Sequence, residues 1–449
     1  MYDGPMRVTV GLALLGLVLG GCDTGDDPAD GSTADAGPRT DAGPEADAGP
    51  RSDAGPVTDA GPRTDAGVAP PTVAARARAL ATALRGEANF MIGTGNDLDG
   101  APSYDADRAG AYTLGATLDV HYWYVNGYSD RGGWTTWNPA GSYVTIHGEA
   151  AERHGVVPMI TYYQLALDYE TGADTLADPD RMLVWLSDVR LMFQRLGALG
   201  VPAIVHVEPD LFGYLQQRFE GMGTTPDAYP ARLSFTQIPE CMGLPEVAAS
   251  LGACLRAMRD ALAPQARLGL HASAWGSWYD ATDPGADVEG SARAVAAFLT
   301  QMGGADMDLV VVETSDRDAG FWETYGGMVG TCSITDGPRG QVYWDATNAT
   351  LPNFHTYFRW VRALTEALGL PALYWQTPFG VPSDMCGGTD GHYRDNRVRY
   401  FFDHVDELVA AGGVGAVFGT GAGRQTYITT DSGQFQTAVT GYYASPTPL

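Results

Sequence analysis

The stretch "VHVEPD", Val205 to Asp210, sets a histidine, a glutamate and an aspartate at alternate positions directly after a run of small apolar residues. Alternate side chains of a β-strand share a face, so His206, Glu208 and Asp210 are expected to point the same way where a strand ends. Carboxylates that close repel one another, and sinking them into a domain is costly. Groups held at such a cost are candidates for proton transfer. A second stretch, "VVVETSDRD", places Glu313 at the end of another apolar run, with Asp316 and Asp318 following it. Two carboxylates on either side of an acetal bond supply the acid and the nucleophile or base that its hydrolysis needs.

The elements that must position these groups are legible from Thr72 onward. Eight short apolar runs, each ending in polar or aromatic residues, open at Asn89, Thr117, Val157, Pro202, Arg267, Asp308, Pro371 and Val414. Amphipathic stretches such as "RMLVWLSDVRLMFQRLGALG" and "FHTYFRWVRALTEALG" lie between most of them, several closing on a glycine just before the next run, a helix C-terminal signal. Strand–helix alternation repeated eight times predicts a single (β/α)8 barrel over residues 72–449. An open doubly wound sheet fits less well, because "GTGNDLDG" after the first run is not a GxGxxG turn.

Barrels of this kind keep their chemistry at the C-terminal ends of the strands, where VHVEPD falls, on the fourth. Alternation extends the list of candidates there. Strand two is expected to offer Asp119, His121 and Trp123, strand three Tyr162 or Tyr163 with Gln164, strand five His271, Ser273 and Trp275, and strand seven Trp375 and Gln376. Tryptophans at strand ends and in the following loops (Trp123, Trp134, Trp137, Trp275, Trp278, Trp322, Trp344, Trp375) offer flat faces that suit sugar rings.

"VHVEPD" is similar to the strand-four Asn-Glu-Pro signature of the large barrel clan of retaining glycoside hydrolases. "HVEPDLFGY" resembles a motif of uncharacterised secreted bacterial proteins that read "HVEPDLWGY". The first resemblance implies that Glu208 is the acid/base. That clan carries its nucleophile on strand seven, where this chain has Gln376, so either Glu313 serves from strand six or the chain belongs to a different family. The expectation is therefore a glycosidase with Glu208 as general acid, Glu313 as nucleophile or base and Asp210 beside them. His121, Trp123, His206, His271, Trp275, Asp316, Trp375 and Gln376 would hold a carbohydrate substrate. Two other readings stay open. One is a metal-dependent barrel hydrolase or isomerase using Asp119, His121, His206, Glu208 and His271. The other is a glycan-binding barrel without turnover.

Composition bounds the rest. The 449-residue chain has a net charge of −27, which repels a polyanion and argues against nucleic acid as a partner. It contains no lysine, excluding Schiff-base, pyridoxal and P-loop chemistry, and no cofactor is expected. Residues 1–21 read as an export signal, with Arg7 ahead of "VGLALLGLVLGG". The "LGGC" that ends it resembles the bacterial lipoprotein signal, implying cleavage before Cys22 and its lipidation, hence an exported protein anchored at the cell envelope or surface. Residues 22–71 carry "DAG" at a period of six, from Asp35 to Asp65. With nothing to bury, they are expected to form a disordered tether. Cysteine usage in an exported chain predicts the disulfides Cys241–Cys254 and Cys332–Cys386.

Overall fold

The computed structural model describes residues 71–95, 106–168, 172–278, 280–314, 343–379, 397–419, 428–429 and 431–449. Cys22 and the repeats, Asp316, Trp322 and the Cys332–Cys386 pair lie outside them. The eight apolar runs are the eight strands of one closed, all-parallel barrel. In chain order they are β1 (Met91–Gly95), β2 (Val120–Asn126), β3 (Val157–Tyr163), β4 (Ala203–Val207), β5 (Ala266–Ala272), β6 (Leu309–Glu313), β7 (Ala372–Thr377) and β8 (Gly413–Phe418), with β8 pairing back to β1. Principal helices outside the ring are α1 (Val73–Arg85), α2 (Tyr143–Arg153), α3 (Pro179–Leu199), α4 (Leu211–Met222), α5 (Leu251–Leu262), α6 (Val288–Gln301) and α7 (Phe354–Leu368).

The punctuation read from the sequence is what starts and stops these helices. Asp178 accepts from the amides of Asp180 and Arg181 ahead of Pro179, and Gly200 closes α3 at φ 73°. Asn353 caps α7 through the Thr356 amide, and Gly369 ends it at φ 67°. A side-chain oxygen at the N-cap and a left-handed glycine past the C-terminus satisfy backbone groups that the helix leaves open.

Register decides which residues line the interior, because partners on adjacent parallel strands face the same side. Tyr124 pairs with Thr161, Thr161 with His206, and His206 with Gly269; His271 pairs with Val311, and Glu313 with Trp375. These residues form the inner face. Tyr122 belongs to it as well, and its ring fills space that Gly95 leaves: a Cβ there would stand 2.5 Å from the Tyr122 ring.

The expectation for β2 is therefore displaced by one residue. His121 and Trp123 face the helices: His121 Nδ1 lies 2.8 Å from the Tyr112 hydroxyl, and the Trp123 ring lies 5.3 Å from that of His147 on α2. A one-residue shift of a period-two pattern exchanges the two faces. Asp119 sits at the opposite, N-terminal end of β2, where it accepts from Arg85 Nε (3.0 Å) and the Ile92 amide (3.1 Å). The chain between α4 and α5 is pinned to α5 by the Cys241–Cys254 disulfide.

Candidate active site

At the C-terminal mouth, β4, β5 and β6 bring Asp210, His271 and Glu313 together. One carboxylate oxygen from each acid and one ring nitrogen of the histidine all lie within 4.8 Å of one another. His271 is fully buried and the two acids are half-buried. Below them, His271 Nδ1 is 3.0 Å from His206 Nε2, and His206 Nδ1 is 3.4 Å from the Thr161 hydroxyl. Burial, then the adjacent His271, holds His206 well below its ordinary pKa of 6.5, so this inner imidazole is neutral. Trp375 walls the pair, with its ring centroid 4.7 Å from that of His206 and 5.6 Å from that of His271.

Glu208 departs from the shared face. Its backbone is left-handed, at φ 52°, as is that of Asp210, at φ 68°. Such angles are costly for residues with a Cβ and cluster where structure over-determines them. They break the strand's alternation, and the two acids separate. Glu208 is fully buried. Its Oε1 accepts from the Leu165 amide (2.9 Å) and the Trp185 indole N–H (2.8 Å), its Oε2 from the amides of Gln164 (3.0 Å) and Ala166 (3.1 Å). Burial pushes its carboxyl up to about 7, and these four donors oppose the rise. All four acceptor positions of the carboxylate are taken up by the loop that leaves β3 and by α3. The group that sequence alternation aims at the mouth instead ties two elements together beside it.

The other candidates divide similarly. Gln376, also left-handed at φ 52°, reaches inward to donate to the Tyr124 hydroxyl at 2.7 Å, linking β7 to β2. Trp275 lies on the barrel's shoulder, its ring 4.7 Å from that of Tyr214 on α4. Tyr162 or Tyr163 was open on sequence; Tyr163 faces in, 6.1 Å from Tyr124, while Tyr162 packs outward on Trp185. Burial and then the nearby Asp210 charge raise the Tyr163 phenol above its ordinary 10. Tyr124 and Thr161 are site residues that the sequence reading missed. The signal for Tyr124 was the second of the two alternating sets in β2, both of them aromatic-rich. The metal ligand set read from sequence is not assembled, since Asp119 is at the far end, His121 faces outward and Glu208 is engaged by four N–H groups. The nitrogen and two oxygens of His271, Asp210 and Glu313 are instead the groups that could take a divalent cation.

No family model matches the chain, and no curated protein matches it. Among solved structures with a similar fold is a double mutant of an endo-β-1,4-mannanase from Cellulomonas fimi. It is 14% identical over 84% of this chain and 75% of that one, with a TM-score of 0.47. A hyperthermophilic endo-β-1,4-glucanase in complex with substrate is 12% identical over 81% of this chain and 99% of that one, at 0.43. A D-allulose 3-epimerase from Methylomonas sp. is 11% identical over 79% and 97%, at 0.39. Likeness at this level reaches proteins of different named activities and decides nothing about chemistry.

Proposed function

We propose that the barrel hydrolyses glycosidic bonds, with Asp210 and Glu313 as the carboxylate pair. The observation that carries this is the convergence of these two acids, from the ends of β4 and β6, to within 4.8 Å around His271. Inverting hydrolysis leaves room for a water, with carboxyl groups roughly 6.5–9.5 Å apart, whereas retaining hydrolysis uses about 5–5.5 Å. One oxygen of each acid within 4.8 Å of the other is compatible with the shorter arrangement, and retention is the outcome we propose. Glu313, set on the strand itself, attacks the anomeric carbon, and Asp210 gives its proton to the departing oxygen. A water then displaces Glu313 from the anomeric carbon, giving one of its own protons to the Asp210 carboxylate, so that both acids return to their starting states. The first step needs Asp210 protonated and Glu313 ionised.

The test is Asp210→Asn and Glu313→Gln, assayed on a panel of polysaccharides and aryl glycosides, with the anomer of the first product read by NMR. Each variant should lose about a hundredfold or more in turnover. Retention of activity by both would remove the assignment. A second reading uses the same three groups as ligands to a divalent cation, favoured by their mixed nitrogen and oxygen character. It requires that turnover vanish with a chelator and return with the ion. We further propose that the chain is exported and held at the envelope by lipid on Cys22, on the strength of "LGGC". Cys22→Ser should release it from membrane fractions.

A further inference from the structure

Two tryptophans among the described residues stand out into solvent, Trp137 at 45% exposure and Trp278 at 59%. Trp123, Trp134, Trp185, Trp344, Trp360 and Trp375 are buried, and Trp275 is half-buried. Both exposed rings belong to segments that follow strands, on the side of the barrel where Asp210 and Glu313 lie: Trp137 after β2, Trp278 after β5. In the closed ring β2 and β5 are three places apart, so the two segments leave the mouth on different sides.

Neither ring hangs loosely. The Trp278 indole N–H donates to Glu220 Oε2 at 2.7 Å, Glu220 Oε1 accepts from Gln216 Nε2, and the Trp278 amide closes a turn on the Trp275 carbonyl at 2.9 Å. That turn places Trp278 at φ 70°, a conformation a tryptophan adopts only when held. Trp137 stands edge-on to Tyr143 at 5.1 Å, and its short helix is anchored by the fully buried Trp134. With its indole N–H tied to Glu220 at the surface, Trp278 has its apolar ring face left for a ligand. A pinned ring loses little side-chain freedom when something stacks on it.

We infer that Trp137 and Trp278 are stacking platforms for one extended polysaccharide chain that crosses the barrel mouth. The substrate is then a long glycan cut internally. This deepens the hydrolase reading as to endo action and substrate length; the binding itself does not depend on turnover.

The experiment is affinity electrophoresis of the mature chain in gels containing galactomannan, xyloglucan, carboxymethylcellulose or amylose. It is run in an Asp210→Asn background so that no substrate is consumed. At least one polysaccharide should retard the protein. Trp137→Ala and Trp278→Ala should each weaken that retardation about tenfold, the scale of losing a well-placed aromatic contact. Leu183→Ala, which removes an apolar side chain exposed at 43% on the outer helix α3, should leave retardation unchanged. Retardation by none of the four, or tryptophan variants that bind like their parent, overturns the inference. Turnover by the chain with Asp210 intact is scored separately. Tryptophan-dependent binding without turnover removes the hydrolase reading alone, and turnover with tryptophan-independent binding removes this one alone.

Discussion

Replacing Glu208 by glutamine separates a holding role from a proton-donating one. The amide keeps the shape but offers one oxygen. It can satisfy two of the four donors, while its NH2 faces the other two. A buried donor left unmade costs ~1–3 kcal/mol, so the hydrogen bonds set a loss of about 2–6 kcal/mol. Against this stands the removal of a buried charge. The rise of the Glu208 carboxyl from 4.5 to about 7 corresponds to about 3 kcal/mol disfavouring the ionised form at pH 8. The net effect at that pH lies between a gain of about 1 and a loss of about 3 kcal/mol. At roughly 2 °C per kcal/mol for a domain of this size, the unfolding temperature falls by at most ~6 °C. Glu208→Gln should therefore fold. Its turnover should stay within about tenfold of wild type, whereas an enzyme that loses its general acid slows ~10²–10⁴-fold. Calorimetry at pH 8 and initial rates on a substrate from the glycan panel measure both quantities. A hundredfold loss of turnover in a variant that unfolds inside that window, matching Asp210→Asn, would refute the reasoning and return Glu208 to the chemistry.

His206 makes the fold sensitive to acid. Its folded pKa lies well below 6.5, so the unfolded chain binds a proton there that the folded one does not. The stability it contributes is fully present above 6.5 and is lost as the pH falls towards the folded value, at about 1.4 kcal/mol per pH unit. Glu208, raised from 4.5 to about 7, acts in the reverse sense, its contribution present below 4.5 and lost as the pH rises through about 7. Relative to wild type, His206→Asn should thus gain stability on acidification from pH 6.5 to 5; parallel melting curves for the two would contradict this. Removing the Cys241–Cys254 bond, whose ends are 13 residues apart, by a double alanine substitution should cost about 3 kcal/mol in urea unfolding if the constraint on the unfolded chain dominates. A Cβ added at Gly213 would stand 2.7 Å from the Trp275 ring and 2.9 Å from the Ser273 Cβ, so Gly213→Ala should destabilise by ~1–3 kcal/mol. Unfolding at the wild-type midpoint would mean that the shoulder yields freely.

The sequence carried the barrel, because strand and helix periods differ and each of the eight units repeats the contrast. It also named His206, His271, Asp210 and Glu313, which the structure brings together at the strand ends. Faces were harder. In β2 both alternating sets, His121 and Trp123 or Tyr122 and Tyr124, are large and partly polar, and only pairing with β3 chooses between them. Glu208 was misplaced for a different reason. Alternation holds while the backbone stays extended, and the left-handed angles at Glu208 and Asp210 have no glycine to announce them. Pro209 between them was the visible sign that regular pairing ends. The four donors to Glu208 come from residues 23 to 44 positions away, beyond the reach of any local pattern.

The manner in which Glu208 grips the loop after β3 bears on how that loop can be altered. Three of its four donors are main-chain amides, of Gln164, Leu165 and Ala166, and an amide is supplied by every residue except proline. The loop's path is thus fixed by a partner blind to its side chains. Gln164 is committed, through Tyr162 and Asp188, and Leu165 is fully buried, but Leu167 is 38% exposed. That position is open to redesign: a library built there, with proline excluded from 164 to 166, can vary what the rim offers a ligand without redrawing the rim.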